Sequence, residues 1–245
     1  MTKLLNLFYE VNLNHSQQLP LPVSLPDDET FDSFYNGKNQ LLIEALLVAL
    51  VSEGVNSIYL WSLPSAGRTH LLHAACSYVA NRNKTVCYIP LAQYTSFSPE
   101  ILDGLEYYDL VCLDDIDAVK GIPAWEEAVF YLFNRLYEKK RTCLLITGNL
   151  PPAQLGLSLP DLGSRLSWGQ VYQLTELNDA DKLAALQLRA RLRGFEISDE
   201  VGLFLLKRLD RDMRSLFTIL EKLDIATITE KRKLTIPFVK EVLKL

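Results

Sequence analysis

Eight residues between a short apolar run and a helical pattern could form a loop that binds phosphate. They read Ser62-Leu63-Pro64-Ser65-Ala66-Gly67-Arg68-Thr69, which has the spacing G-x-x-x-x-G-K-[ST] with serine for the first glycine and arginine for the lysine. Backbone N–H groups at a helix N-terminus attract phosphate oxygens, a cation adds charge, and a hydroxyl can coordinate magnesium. The predicted phosphate-binding residues are Ser62, Ser65, Ala66, Gly67, Arg68, Thr69 and His70. Taken alone, the octet is weak evidence, and a strand–turn–helix junction with a packing glycine is the favoured alternative.

Polar residues also follow two later apolar runs that have the character of buried strands. Asp114 and Asp115 come directly after Leu110-Val111-Cys112-Leu113, and Asn149 follows the run that ends at Thr147. Ligands bind at the carboxyl edge of a parallel sheet, so these side chains are expected beside the phosphate loop. Thr69 and Asp114 are the candidate Mg²⁺ ligands, Asp115 can polarise water, and Asn149 can orient a γ-phosphate or a water. The alternatives are a solvated turn with a helix cap for the acids and a plain turn residue for Asn149.

The cysteines and histidines do not predict a transition-metal site. No two cysteines form a Cys-x-x-Cys pair, and each lies among apolar neighbours, which is typical of reduced core thiols in a cytoplasmic protein. These cysteines are Cys76, Cys87, Cys112 and Cys143. His70 and His73 are three residues apart, but neither a carboxylate nor a third histidine lies near them in the sequence.

Two kinds of pattern divide the 245-residue chain. From residue 27 to 174, short apolar runs alternate with helical periodicity, which predicts an α/β domain with a parallel five-stranded sheet. The expected strands lie near 57–61, 85–89, 110–113, 142–147 and 171–174. From residue 175 to 245 the strand signals nearly vanish, and apolar residues recur at helical spacing, so a small all-helical domain follows. Residues 1–26 contain several prolines, which favour an extended tail.

Charge and hydropathy exclude two classes of function. The 25 Lys and Arg against 30 Asp and Glu give a net charge of −5, whereas a protein that holds nucleic acid by its own surface usually carries a basic excess. No run approaches the roughly 20 apolar residues of a membrane helix. The N-terminus lacks the small-residue cleavage pattern of a secretory signal. We therefore expect a cytoplasmic protein that neither contacts a membrane nor binds DNA directly.

The order of phosphate loop, paired aspartates, asparagine and helical domain resembles the AAA+ ATPases, in particular the DnaA family and its short paralogues of the Hda family. The resemblance to the Hda family is the closer one, and it rests on longer segments at residues 26–31, 67–74, 159–169 and 186–195. The resemblance covers residues 18–245. It implies an AAA+ P-loop domain followed by a helical lid, with ADP or ATP and Mg²⁺ as the bound cofactors.

The same resemblance implies roles for two arginines. Arg165 holds the place of the arginine finger, which reaches a neighbouring subunit's nucleotide and stabilises the charge of the transferring phosphoryl group. A surface pair with Asp161 is the alternative. Arg214 matches the sensor II arginine, which contacts the phosphates of the chain's own nucleotide. An ion pair within the lid, with Asp210 or Asp212, is the alternative.

Arg68 departs from the family pattern, because lysine presents a compact ammonium between the phosphates whereas arginine is broader and forked. The departure implies that nucleotide binds, as ADP in the Hda-like form, without efficient hydrolysis in the chain's own site. The resemblance then implies action on the ATP of another molecule, the initiator DnaA, so that replication initiation is suppressed. The alternatives are an autonomous AAA+ ATPase or loader and a non-catalytic DnaA-like adaptor. Association with further copies of the same chain, as a homo-oligomer, is a further alternative.

The tail contains a segment, Gln18-Leu19-Pro20-Leu21-Pro22-Val23, that resembles the short motif with which proteins dock on the bacterial sliding clamp, the β subunit of DNA polymerase III. Gln18 supplies an amide for hydrogen bonds, Leu19, Leu21 and Val23 can fill an apolar pocket, and Pro22 pre-extends the strand. The resemblance implies the clamp as a second partner, through which DNA is reached only indirectly. A proline-rich leader is the alternative.

Overall fold

The computed structural model describes residues 28–52, 54 and 56–245, so the clamp-like motif at 18–23 lies outside the described residues. The strands are β1 (Asn56–Trp61), β2 (Val86–Pro90), β3 (Leu110–Asp114), β4 (Cys143–Gly148) and β5 (Gln170–Gln173). The helices before and between them are α1 (Gln40–Val51), α2 (Arg68–Ala80), α3 (Pro123–Lys139) and α4 (Pro160–Leu166). The helices that follow are α5 (Asp179–Leu192), α6 (Asp199–Arg208), α7 (Met213–Glu230) and α8 (Ile236–Leu243).

The five strands form one parallel sheet in the order β2-β3-β4-β1-β5. Asn56 pairs with Cys143 and Trp61 with Gly148, so β1 and β4 are in register along their full length. β3 and β4 are buried at every position, as expected of central strands that helices cover on both faces. The expectation of a parallel five-stranded sheet followed by a helical unit is confirmed, with strand bounds shifted by a residue.

Two helices pack on each face of the sheet. Because side chains alternate along β1, Ile58 joins the core formed with α1 and α2. Tyr59 joins the core formed with α3 and α4, where Phe133 and Leu162 are fully buried. The sheet therefore separates the first turn of α2, which carries the phosphate-loop residues, from α4, which carries Arg165.

Helices α5 to α8 have a separate core, which includes Leu186, Leu205, Leu220 and Val239. Side chains cap the starts of α5, α6 and α7, with a capping box at α5, whereas α8 begins with a proline in its first turn. Among the residues that the structure describes, no helix is both long and apolar enough to cross a membrane.

Partly buried polar contacts join these helices to the start of the α/β unit. Asp28 lies 2.5 Å from Arg189 and 2.7 Å from Arg193, both on α5. Burial alone would raise the pKa of Asp28, but the hydrogen bond from Arg193 and the charge of Arg189 lower it. Asn39 donates to the carbonyl of Thr175 at 2.9 Å and accepts from its N–H at 2.8 Å. These contacts hold α5 against the segment that leads into α1.

The four cysteines are free thiols, of which Cys76 lies on α2 and the other three on strands of the sheet. The Sγ atoms of Cys76 and Cys112 lie 3.6 Å apart across the interface of α2 and β3. Burial raises the pKa of Cys87 and of Cys143 to about 12, so little thiolate forms and the thiols are poor nucleophiles.

A substitution at Gly169 tests the close approach of β5 to β1. A Cβ at this position would lie 2.1 Å from the carbonyl oxygen of Ser57, which is backbone and cannot turn aside. We expect Gly169→Ala to lower the free energy of unfolding by about 2 kcal/mol. In Gly163→Ala the new Cβ meets nothing within 4 Å, so this control should stabilise α4 by about 0.5–1 kcal/mol. Urea denaturation of both variants measures the difference, and equal midpoints would contradict the register of β5.

Candidate functional site

The phosphate loop ends in a helix start that has open N–H groups. Ser65 and Gly67 have φ values of 65° and 107°. A Cβ at Gly67 would lie 2.9 Å from the ring of Phe34, so glycine is required here for both space and conformation. Among the described residues no side chain caps α2, and its first turn contains no acid. The free N–H groups and the helix dipole give this end a partial positive charge.

The guanidinium of Arg68 joins the three strand ends that the sequence singles out. It donates to the carbonyl and hydroxyl oxygens of Ser62, to Asp115 Oδ1 at 2.8 Å, and to Asn149 Oδ1 at 2.6 Å. The residue is only 8% exposed. The loop, the second aspartate and the asparagine are therefore brought together as predicted, but around the protein's own cation.

Asp114 is the buried acceptor of this edge. Its Oδ2 accepts from Thr69 Oγ1 and from Tyr88 Oη, both at 2.8 Å, and its Oδ1 accepts from Thr147 Oγ1 at 2.5 Å. Its exposure is 4%, which excludes the solvated turn for Asp114. Burial, followed by the charge of Asp114, raises the pKa of Tyr88 well above its usual value. The hydroxyl of Thr69 and this carboxylate are placed so that both oxygens could hold one Mg²⁺.

Asp115 and Asn149 are held by backbone contacts as well as by Arg68. Asp115 has φ of 57°, and its N–H donates to Thr147 Oγ1 at 2.8 Å. Burial and the adjacent Asp114 raise the pKa of Asp115, while Arg68 opposes them. The N–H of Asn149 donates to Asp117 Oδ1 at 2.9 Å, and its side-chain amide donates to Asp117 Oδ2. Sequence reasoning did not assign roles to Thr147 and Asp117, although both are polar residues at the ends of apolar strands.

The side chain of His70 faces residues 30–33, which precede α1. Its Nε2 lies 2.9 Å from the carbonyl oxygen of Thr30 and 3.3 Å from Ser33 Oγ, and burial lowers its pKa. Only the backbone N–H of His70 is therefore placed to contact a phosphate. The Nδ1 of His73 lies 2.5 Å from Glu29 Oε2, from 44 residues earlier in the chain. Burial alone would raise the pKa of Glu29, but the hydrogen bond to His73 lowers it.

Arg165 lies apart from this cluster, on α4. Its Cζ is 3.8 Å from the centroid of the Trp168 ring and 5.5 Å from that of Phe130. The ion pairs found among the described residues include none between Arg165 and a carboxylate. The pair with Asp161, which the sequence allowed, does not form.

A buried carboxylate fixes the start of α4. Glu126 is 0% exposed and accepts from the N–H groups of Gly121 at 2.7 Å, Ser158 at 3.1 Å and Leu159 at 2.6 Å. Leu159 is the N-cap of α4, so Glu126 positions the helix that carries Arg165. Sequence reasoning missed this residue, although its place on the apolar stripe of α3, seven residues before Phe133, is a visible signal.

Arg214 lies in the first turn of α7, whose start adjoins the phosphate loop. Burial alone would raise the pKa of Asp212, but the nearby side chain of Ser65 in the loop and the hydrogen bonds from Ser215 lower it. The N–H of Ser215 donates to Asp212 at 2.9 Å, so Asp212 caps α7. Arg214 itself is exposed, and the ion pairs within the described part of the chain join it to neither Asp210 nor Asp212.

Comparison with protein families matches nearly all of the described chain. Residues 25–173 match the family model of the bacterial DnaA ATPase domain, and residues 179–243 match that of the Hda lid domain.

Solved structures share the fold. Domain III of the Thermotoga maritima replication initiation protein DnaA is 22% identical, with a TM-score of 0.73 over 91% of this chain and 98% of that one. AMPPCP-bound DnaA from Aquifex aeolicus is 24% identical, with a TM-score of 0.66 over 80% of this chain and 66% of that one. The RuvB Holliday junction branch migration motor of Thermotoga maritima is 18% identical, with a TM-score of 0.61 over 88% and 71% of the two chains.

Replacing Arg68 tests whether its charge holds the strand ends together. We expect Arg68→Met to lower the free energy of unfolding by about 2 kcal/mol near pH 7, because the half-buried carboxylate of Asp115 loses its cation and its hydrogen bond. The pKa of Asp115 is already raised and should rise further without Arg68. The destabilisation should therefore shrink as the pH falls through that pKa, because a protonated carboxyl needs no cation.

Denaturation across a pH series measures this effect, with Arg82→Met as the control. Arg82 is an exposed arginine after the other end of α2, and its guanidinium contacts Tyr78. A destabilisation that is the same for both variants, or that does not change with pH, would contradict the role of Arg68.

Proposed function

The chain belongs to the family of the bacterial DnaA ATPase domain and carries an Hda lid domain, and we propose that it is a negative regulator of chromosomal replication initiation. In this proposal it binds ADP or ATP with Mg²⁺ and stimulates the hydrolysis of ATP held by DnaA. One observation carries the proposal. The phosphate-loop arginine engages the groups that would activate water in the chain's own site, whereas Arg165 has no carboxylate partner among the described residues.

Several features support a nucleotide at the phosphate loop. The uncapped start of α2 offers N–H groups to phosphate oxygens. Among the described residues the buried Nε of Arg68 has no hydrogen-bond partner, which leaves a donor unused at the same place. Thr69 and Asp114 would hold Mg²⁺, and Arg214 would approach from the lid. The AMPPCP-bound state of the Aquifex aeolicus DnaA relative supports an adenine nucleotide.

Hydrolysis in the chain's own site is opposed by the contacts of Arg68. An attacking water needs a carboxylate to polarise it and a polar group to orient it. Asp115 and Asn149 are the candidates for these two tasks, and both accept hydrogen bonds from Arg68. The bound nucleotide would therefore persist and act as a structural ligand of the chain.

Arg165 would supply the catalytic charge in trans. A guanidinium stays protonated at every physiological pH and offers five donors in a planar fork. Inserted at the γ-phosphate of DnaA-bound ATP, such a finger accelerates phosphoryl transfer by about 10³–10⁵-fold in comparable systems. The chain would thus be catalytic only in the composite site, and DnaA would be left with ADP.

The clamp would bring the two proteins together on DNA. We propose that Gln18, Leu19, Leu21, Pro22 and Val23 dock on the sliding clamp as an extended segment. The net charge of −5 supports an indirect contact with DNA, because a direct contact relies on basic residues.

The composite reaction tests this proposal. ATP-loaded DnaA is mixed with DNA-loaded clamp and this protein, and the nucleotide on DnaA is followed over time. Wild-type protein should convert the ATP to ADP, whereas Arg165→Ala should lose at least about 100-fold of the stimulation. Gln18→Ala/Leu19→Ala should need a much higher protein concentration, because the tether is lost.

Arg141→Ala is the matched control for the finger, since Arg141 is a surface arginine whose exposed pair with Asp109 contributes little to stability. It should stimulate as the wild type does. Undiminished stimulation by both Arg165→Ala and the tail variant would contradict the mechanism.

The turnover of the isolated protein separates this proposal from an autonomous ATPase. With saturating ATP and Mg²⁺ we expect fewer than about 10⁻² turnovers per second, the range of P-loop proteins that receive no help in trans. Many turnovers per minute that Arg68→Ala abolishes would show that Arg68 serves hydrolysis in the chain's own site, and the proposal would be wrong.

A further inference from the structure

The three tryptophans of the chain differ in their environment. Trp125 is buried, with 3% exposure, and Trp61 is half-buried, whereas Trp168 is 58% exposed. A large aromatic ring on the surface gains little from burial, so its place calls for another reason. Trp168 lies two residues after the end of α4, and its backbone N–H donates to the carbonyl oxygen of Arg165 at 3.0 Å.

The exposed ring of Trp168 carries the guanidinium of Arg165 on its face. The Cζ of Arg165 lies 3.8 Å from the ring centroid, well inside the range of a cation–π contact. Phe130 of α3 approaches the same guanidinium at 5.5 Å. Tyr137, also on α3, meets Trp168 edge to face at 5.6 Å, with an angle of 87° between the rings. The arginine thus rests on aromatic rings that α3 holds in place.

An aromatic face holds a guanidinium in a different way from a carboxylate. A carboxylate would take up the N–H donors and would compete with phosphate, whereas a ring attracts the charge and leaves the in-plane donors free. Asp161 lies one turn before Arg165 on α4, yet no ion pair joins them among the described residues. The aromatic surroundings of Arg165 order its side chain and leave its N–H donors available to a phosphate.

We propose that Trp168 is a positioning residue for Arg165. Its ring keeps the guanidinium pre-ordered for the phosphoryl group of the partner's nucleotide and reduces the conformational entropy lost when the finger inserts. This inference rests on the proposed function of Arg165 in trans.

The test compares Trp168→Leu, which removes the ring face, with Trp168→Phe, which keeps one. The rate of ATP hydrolysis on DnaA is measured over a range of concentrations of this protein, with DNA-loaded clamp present. Trp168→Leu should lower the maximal rate by about tenfold, which lies between the values for an exposed and for a desolvated cation–π contact. Its half-maximal concentration should change less than about twofold, because a positioning residue acts on the rate and not on assembly. Trp168→Phe should restore most of the rate.

Two further variants complete the test. Tyr107→Leu removes another exposed aromatic ring with a cation over it, that of Lys139, and should behave as the wild type. In an Arg165→Ala background, Trp168→Leu should cause no additional loss, because the two residues act as one unit.

The outcomes distinguish this inference from the function on which it rests. If Arg165→Ala retains full activity, the proposed function fails. If Arg165→Ala is inactive and Trp168→Leu matches the wild type, or changes only the half-maximal concentration, the positioning role fails.

A fluorescence measurement on the free protein reports the stacking without any partner. Arg165→Met should change the tryptophan emission of the wild type and should leave that of Trp168→Phe unchanged. An identical change in both backgrounds would overturn the contact.

Discussion

The guanidinium of Arg68 is the interaction on which the carboxyl edge of the sheet depends. β3, β4 and β1 lie side by side, and they deliver Asp115, Asn149 and Ser62 to one buried place. A carboxylate, an amide oxygen and the two oxygens of Ser62 would be costly there without donors. One forked cation satisfies them all, which a lysine with a single ammonium could not do in the same geometry. The stability of the edge follows from these contacts, and the proposed lack of hydrolysis in the chain's own site rests on the same ones.

The sheet separates this engaged arginine from the one that stays available. The first turn of α2 and the whole of α4 pack on opposite faces, so Arg68 and Arg165 meet different surroundings. Arg68 is surrounded by oxygen acceptors, and Arg165 lies against aromatic rings. Glu126 contributes to the position of Arg165, because it accepts three backbone hydrogen bonds that fix the segment from which α4 begins. The placement of these charges is consistent with a chain that binds nucleotide on one side and acts on a partner from the other.

Local pattern predicted much of the fold, because the buried strands are apolar at each position and the α3 stripe repeats with helical spacing. It also predicted that the loop, Asp115 and Asn149 would meet, since parallel strands share their carboxyl edge. The sequence pattern could not predict that Arg68 would bind Asp115 and Asn149, because the rotamer of its side chain depends on how the surrounding residues pack. The pair of Glu29 with His73 and that of Asp28 with Arg189 join residues far apart in the sequence. Such contacts depend on tertiary packing, and no local sequence pattern indicates them.

The central claim is that this protein keeps its own nucleotide and promotes hydrolysis of another's. The most direct measurement loads this protein and DnaA with ATP that carries different labels, mixes them with DNA-loaded clamp, and follows both labels in one reaction. The account predicts that the label on DnaA becomes ADP while the label on this protein stays unchanged over the same period. Hydrolysis of the label on this protein, with the ATP on DnaA preserved, would contradict it.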